Sequence, residues 1–182
     1  FGQSLDQFDA IQSKLADMCQ RIYAMESLAF RIGGQIDEES ARLIEQGEDP
    51  QEAERKAIAS YAAECAIAKV HNTEADAFVT DEALQIHGGM GYSAETPIET
   101  MYRNHRINRI YEGTNEINRM LTIDMLLRKA MKGELALLPA AQAALNRFRA
   151  GEQAVADDSV APERQYLQAG RELTLTLLAL IG

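Results

Sequence analysis

A single carboxylate stands in a short polar stretch, Tyr111-Glu112-Gly113-Thr114, here called the Glu112 turn, between two segments of helical pattern. Two interpretations of Glu112 stay open from the residues alone. A glutamate just before a helix N-cap is favoured by the helix dipole, worth about 0.3–1 kcal/mol. Alternatively, the carboxylate reaches an apolar cleft, where lost solvation raises its pKa and makes it a general base for a weak carbon acid.

A second unusual stretch, residues 85–91, is here called the glycine turn and contains Gly88, Gly89 and Gly91. Glycines in this position are typical of a helix C-cap. Their bare backbone also predicts a surface that lies against a flat or phosphate-bearing ligand, with Gln85 supplying an amide hydrogen bond. The spacing fits neither a Walker A loop nor the GxGxxG fingerprint.

Between the two turns lies a group of basic side chains. Its members are Arg103, His105, Arg106 and Arg109. One interpretation is a solvated, ion-paired helix face in an acidic protein. The other is that the group orders the Glu112 turn or attracts an anionic ligand. No orienting partner for His105 is evident, which argues against its acting as a catalytic base.

The composition describes an ordinary globular chain: 182 residues, 46% hydrophobic and 25% charged, with a net charge of −10. This charge argues against nucleic acid as a partner and weakly against anionic lipid. Cys19 and Cys65 lack CxxC spacing and fit a reducing compartment, and the three histidines show no metal-ligand spacing, so no metal is expected. No secretory signal or long apolar run appears, and the abrupt ends predict a piece of a longer polypeptide.

The apolar spacing predicts helices over about residues 5–32, 51–86, 97–108, 115–131, 137–148 and 162 to the end. Gly33-Gly34 are expected to loosen the end of the first helix, and Thr114 to cap the fourth. Residues 173–177 alternate like a strand, but helix is favoured because no partner strand exists elsewhere. The prediction is an all-α protein, an antiparallel four-helix bundle over 1–133 with an appended helical extension over 134–182.

Several of these motifs occur together in one known family. The chain resembles the C-terminal domain of the acyl-CoA dehydrogenases, most of all the very-long-chain type, over about residues 1–133. The resemblance is carried by Phe1-Gly2-Gln3, by 83–92 (ALQIHGGMGY), by Pro97 and Met101-Tyr102-Arg103, and by 110–117 (IYEGTNEI). Beyond Gly133 only position and helical character match.

The resemblance implies an FAD-dependent oxidation of acyl-CoA to trans-2-enoyl-CoA in fatty acid β-oxidation. Glu112 then corresponds to the base that removes the α-proton, and Tyr111 and Gly113 line the acyl-CoA. The positions implied to contact FAD are Phe1, Gln85, Ile86, His87, Gly88, Gly89, Thr114, Asn115 and Glu116. The family's FAD-binding arginine lies upstream of Phe1. Asn104 stands where many members have aspartate, so a local ion pair of the family is not predicted here. Asp124 stands where some members have arginine, so a substrate contact at that position is not predicted either.

The expected partners are an acyl-CoA substrate, an electron-transfer flavoprotein as acceptor and further copies of the chain in a homodimer or homotetramer. Membrane association is not favoured. The expected location is the cytoplasm in a bacterium or the mitochondrial matrix in a eukaryote, not outside the cell. Two alternatives remain: a catalytically inert oligomerisation module when the fragment is isolated, and a relative of the acyl-CoA oxidases that passes electrons to oxygen.

Overall fold

A computed structural model describes residues 2–151 and 162–181, which contain helices and connections but no strand. This confirms the predicted all-α class. The helices are α1 (Asp9–Glu45), α2 (Pro50–Ser60), α3 (Ala62–His87), α4 (Gly89–Tyr92), α5 (Pro97–Arg106), α6 (Asn115–Met131), α7 (Leu137–Arg149) and α8 (Pro162–Ile181), with 3₁₀ turns at Leu5–Gln7 and Ile107–Arg109.

The chain divides into two compact units, Phe1–Met125 and Leu126–Gly182, so that the division falls within α6. The domain boundary predicted after Gly133 stays a prediction.

Helix α1 is longer than the sequence suggested, since it continues through Gly33 and Gly34 without interruption. A glycine inside a helix costs roughly 0.5–1 kcal/mol relative to alanine. Packing offsets that cost, because α1 contacts both α2 and α3 and buries Ile32 beside the two glycines. The predicted loosening at this point was wrong.

The second predicted helix, from 51 to about 86, is divided into α2 and α3 at Tyr61. The Ser60 hydroxyl donates to the Ala57 carbonyl at 2.7 Å, a backbone bond of the kind that competes with helix hydrogen bonding. The Tyr61 amide then donates to Ile58 O, three residues back, and regular helix bonding resumes at Cys65. The sequence pattern missed this break because apolar periodicity continues across it.

Helices α1 and α3 run antiparallel. Lys14 near the start of α1 forms an ion pair with Glu82 near the end of α3, and Asn72 Nδ2 donates to Met25 O at 3.4 Å. The buried residues of α2 and α3 are mostly small: Ala53, Ala57, Ala63, Ala66, Ala75 and Thr80. Small side chains let neighbouring helices approach closely, so α3 is the central element of the first unit. The four-helix count stays a prediction.

The second unit contains the hairpin of α7 and α8. Ala141, Ala144 and Leu175 form its buried core, and Arg147 pairs with Glu172 at 2.7 Å. Residues 173–177 are helical, as favoured over a strand. Among the described residues, no helix is both long and apolar enough to cross a membrane.

Candidate active site

The Glu112 turn connects the 3₁₀ turn Ile107–Arg109 to α6. Glu112 has φ 54°, and it is the one residue other than glycine with positive φ in the described part of the chain. Gly113 follows with φ 82°. A non-glycine residue in the left-handed region costs about 1–3 kcal/mol and persists only where its surroundings fix it, which happens most often at functional sites.

The surroundings of this turn are polar. Asn118 Nδ2 donates to Gly113 O at 2.8 Å and lies 3.2 Å from Thr114 O and 3.4 Å from Glu112 O. Lys69 Nζ, from α3, donates to the same Gly113 O at 2.8 Å. A Cβ on Gly113 would lie 3.0 Å from Asn118 Nδ2, so glycine serves both the left-handed backbone and the close approach of this amide.

Asn115 lies under the turn and is only 1% exposed. Its Oδ1 accepts from Lys69 Nζ at 2.8 Å, and its Nδ2 donates to Thr73 Oγ1 at 3.0 Å and to Glu74 Oε1 at 2.9 Å. Both polar atoms of the Asn115 side chain are therefore hydrogen-bonded to residues of α3. A contact of this position with a cofactor would have to use its backbone.

Glu74 also forms long ion pairs with the two arginines on either side of the turn in sequence. Arg109 Nη1 lies 3.6 Å from Glu74 Oε2, and Arg119 Nη2 lies 3.7 Å from Glu74 Oε1. The set Lys69, Thr73, Glu74, Asn115 and Asn118 is called the polar network below. Its three α3 members are spaced i, i+4 and i+5, which places them on one side of that helix. The sequence interpretation missed their role. A signal existed in Lys69, since a lysine in an apolar helix segment needs partners.

The Glu112 carboxylate itself is exposed and has no ion pair or hydrogen bond with the described residues. Tyr111 beside it is 50% exposed. The predicted N-cap is confirmed, because Ile117 N donates to Thr114 Oγ1 at 3.3 Å. In the first turn of α6, the pKa of the Glu116 carboxyl is lowered by its own backbone amide and then by the Thr114 hydroxyl.

The glycine turn ends α3. Gly88 has φ 57°, and a Cβ added to Gly88 or Gly89 would meet nothing within 4 Å. Gly91 differs, because a Cβ there would lie 2.6 Å from Leu84 O. Gln85 is exposed and its amide has no hydrogen bond within the described chain, while His87 Nδ1 lies 2.8 Å from Ala83 O. The stretch thus presents bare backbone and a free amide.

The structure does not bring the two turns together. The Glu112 turn is attached to α3 at Lys69, and the glycine turn begins at Gln85 of the same helix. Sixteen residues of helix at about 1.5 Å each separate these points by about 24 Å. A compact ligand could contact only one of the two turns. Contact with both turns requires an elongated ligand or two separate ligands.

The basic side chains of residues 103–109 do not all have the same surroundings. Arg103 pairs with Glu99 at 2.5 Å on the exposed side of α5, where this hydrogen bond lowers the pKa of the Glu99 carboxyl. Arg109 instead lies 3.6 Å from Glu74 of the polar network. His105 has an orienting partner after all, since its Nδ1 lies 2.5 Å from Asp76 Oδ1. Asp76 belongs to α3, and nothing in the local sequence indicated the pair.

A cavity of about 970 Å³ lies within the first unit among α1, α3, α5 and α6. Its charged lining includes Arg21, Arg106, Arg109 and Arg119, against Glu74 and Asp81. Glu112 does not line it. Arg21 lies over the Phe78 ring at 3.9 Å on one wall.

Helix α6 reverses the usual arrangement of polar and apolar residues. Asn115, Asn118 and Thr122 are buried, whereas Ile117, Met120 and Ile123 are 50%, 66% and 58% exposed. A surface helix of a globular protein usually buries its apolar side instead. In the first turn of α6, Asn115 bonds to Lys69, Thr73 and Glu74 of α3.

These features define a helical domain that presents an unpaired carboxylate on a left-handed turn. The family model for the acyl-CoA dehydrogenase C-terminal domain matches residues 1–127. The chain is 43% identical over 137 residues to a probable acyl-CoA dehydrogenase of Bacillus subtilis, covering 74% of this chain and 23% of that protein. It is 37% identical over 120 residues to the bovine mitochondrial very-long-chain specific acyl-CoA dehydrogenase, covering 66% and 16%.

A crystal structure of an acyl-CoA dehydrogenase complexed with FAD from Bacillus anthracis superposes with a TM-score of 0.88 at 41% identity, covering 97% of this chain and 30% of that chain. The chain belongs to the acyl-CoA dehydrogenase family, as a C-terminal domain. The resemblance inferred from its motifs is confirmed, and a very-long-chain enzyme is among its relatives. The chain spans about a quarter of the length of the Bacillus subtilis relative.

Proposed function

We propose that this chain is the C-terminal domain of an FAD-dependent acyl-CoA dehydrogenase and that Glu112 removes the α-proton of the acyl-CoA thioester. One observation carries the proposal: a strained left-handed turn, held by the polar network, presents a carboxylate that no cation of the described chain pairs with. Strain that is maintained at one exposed acidic residue points to a function of that residue.

The lack of an ion pair matters because a neighbouring cation stabilises the carboxylate and lowers its basicity. Arg109 and Arg119 are close in sequence to Glu112, but both are directed to Glu74. Within the described chain, no ion pair joins either guanidinium group to the proposed base. Glu112 is left free to take up a proton.

A base for a weak carbon acid must also lose solvation, and Glu112 is exposed in this chain. We assign the shielding of Glu112 from water to other parts of the enzyme, since this chain spans only about a quarter of a related protein. With bound substrate, those parts would exclude water from Glu112 and make its carboxylate a stronger base. Tyr111 and Gly113 would line the substrate on either side of the base.

The residues present fit an FAD site. The glycine turn offers exposed backbone at Gly88 and Gly89 with space around it, and the unpaired Gln85 amide beside it. Ile86 and His87 continue this edge, and Thr114 and Glu116 lie at the exposed start of α6, with Asn115 contributing backbone. Phe1 lies outside the described residues. When bound, FAD supplies the acceptor for the hydride that leaves the β-carbon.

The assignment of the base is tested by Glu112→Gln in the full-length enzyme. The amide keeps the size of the side chain but cannot take up the proton. We expect acyl-CoA-dependent flavin reduction, followed anaerobically by stopped-flow absorbance, to slow by at least about 10²–10⁴-fold. Bound FAD should remain at the parent level.

Glu54→Gln, an exposed glutamate of α2, serves as the matched control and should reduce flavin at the parent rate. Parent-like reduction by Glu112→Gln would remove Glu112 from the mechanism.

For the acceptor, we propose an electron-transfer flavoprotein, as family membership suggests. The oxidase alternative predicts oxygen-dependent peroxide formation by the same protein. Comparing turnover with the flavoprotein and with oxygen separates the two. The cellular location stays a prediction.

We also propose that the enzyme is a homodimer or homotetramer. The exposed apolar residues of α6 support this, since large apolar surfaces of this kind mark interaction sites. Association without any flavin binding would instead support the inert assembly module.

A further inference from the structure

We propose that Lys69 is a positioning residue for the base: its ammonium fixes the left-handed Glu112 turn and so the direction of the Glu112 carboxylate. This inference rests on the proposed function of Glu112. Lys69 does not contact the Glu112 carboxylate, and no contact with the substrate is proposed for it.

Lys69 lies in the most apolar part of α3, between the buried Ala66 and the half-buried Val70. Lysine is rarely placed in such a segment unless its charge has partners. Both partners shown for its Nζ belong to the turn and its helix: Gly113 O and Asn115 Oδ1, each at 2.8 Å. No ion pair engages Lys69 within the described chain, so its donors are directed to neutral oxygens.

Gly113 O is the point where the two elements meet. Lys69 approaches it from α3, and Asn118 Nδ2 approaches it from α6, both at 2.8 Å. Hydrogen bonds from a charged donor are about twice as strong as neutral ones. With both donors in place, the peptide after Gly113 cannot rotate without losing two hydrogen bonds, one of them charge-assisted.

Removing the ammonium would leave Asn118 as the sole side-chain donor to that carbonyl. The strained φ at Glu112 would then be opposed by fewer contacts, and the turn could relax. Asn115 would lose the same partner at its Oδ1. A displacement of about 1 Å at a reacting group can lower a rate by about 10²-fold. The expected defect is therefore larger in the chemical step than in substrate binding.

The test compares Lys69→Met and Lys69→Gln with the parent in the full-length enzyme. Methionine keeps an unbranched stem without donors, and glutamine retains one amide donor group. We expect flavin reduction by acyl-CoA to slow by about 10–100-fold in Lys69→Met and by less in Lys69→Gln. KM for acyl-CoA and the bound FAD should stay within about twofold. Lys56→Met, a half-buried lysine of α2 paired with Glu48, is the matched control and should retain the parent rate.

A second readout separates positioning from a general loss of structure. In a Glu112→Gln background, either Lys69 substitution should cause no further slowing, because Lys69 acts only through Glu112. The proposal would be overturned if a Lys69 substitution slowed the reaction equally in both backgrounds. It would also be overturned if Lys69→Met folded and both Lys69 variants reduced flavin at the parent rate. If Lys69→Met does not fold, Lys69→Gln carries the same comparison.

The two proposals fail separately. A parent-like rate in Glu112→Gln refutes the proposed function whatever the Lys69 variants do. A slow Glu112→Gln beside parent-like Lys69 variants refutes the positioning role alone.

Discussion

At the scale of the residue, Glu112 occupies a backbone conformation that a glycine would adopt without strain. Its neighbour Gly113 is already left-handed, so two consecutive residues depart from the usual regions. A chain selected for stability alone would place glycine at both positions. The glutamate at 112 therefore supports the proposal that its side chain has a function there.

Strain at position 112 should set the order of stability among Glu112 variants. Glu112→Gly should unfold with a free energy about 1 kcal/mol higher than Glu112→Ala, because only alanine retains the left-handed strain. Urea denaturation of the full-length variants measures the difference. Both variants should lack dehydrogenase activity.

The matched pair lies in the middle of α2, at Glu54. There Glu54→Gly should be less stable than Glu54→Ala by about 1 kcal/mol, since glycine is unfavourable inside a helix. The same order at both positions would show that residue 112 carries no strain.

The sequence identified Glu112 but not the residues that hold it. A carboxylate in a glycine-containing turn is visible as a local motif. Lys69 and Gly113 are 44 residues apart, and their contact exists only once α3 and α6 have come together. The same holds for His105 and Asp76, 29 residues apart. Tertiary pairs of this kind leave no local pattern.

At the scale of the element, helix types were predicted well and interruptions were not. The helices predicted to start near residues 51 and 97 begin at Pro50 and Pro97, since proline suits the first position of a helix. The α2–α3 break escaped because Ser60 bonds the backbone without changing the apolar periodicity. At Gly33-Gly34 the sequence predicted an interruption that does not exist, since packing keeps α1 helical there.

Helix α6 shows a different limit of pattern reading. Its apolar periodicity predicted a helix, but the structure shows Ile117, Met120 and Ile123 exposed, whereas Asn115, Asn118 and Thr122 are buried. A periodic pattern indicates which residues share a side of a helix, not which partner covers them.

The exposed side of α6 leads to a prediction about assembly. Ile117→Lys combined with Met120→Lys should lower the mass of the full-length oligomer, because two charges would enter an apolar interface. Sedimentation velocity measures the mass. Gln51→Lys, at an exposed polar position of α2, should leave it at the parent value.

An unchanged mass for the double variant would contradict self-association through α6. If that variant also lost stability, the side would be covered by other parts of the same subunit.

At the scale of the whole molecule, the proposed base and part of the proposed cofactor site depend on one central helix. α3 holds the Glu112 turn through Lys69, Thr73 and Glu74 and ends in the glycine turn about 24 Å away. FAD is elongated, and a second copy of the domain offers a second set of turns. Either arrangement allows both turns to be used in one assembly.

The central claim is that Glu112 takes the α-proton, and isotope exchange measures that step without oxidation. The full-length enzyme is incubated with an acyl-CoA analogue that is deuterated at the α-carbon and cannot lose a β-hydride. Loss of deuterium to solvent is followed by NMR. The account predicts exchange by the parent enzyme and exchange at least about 10²-fold slower in Glu112→Gln. Exchange at the parent rate in Glu112→Gln would contradict it.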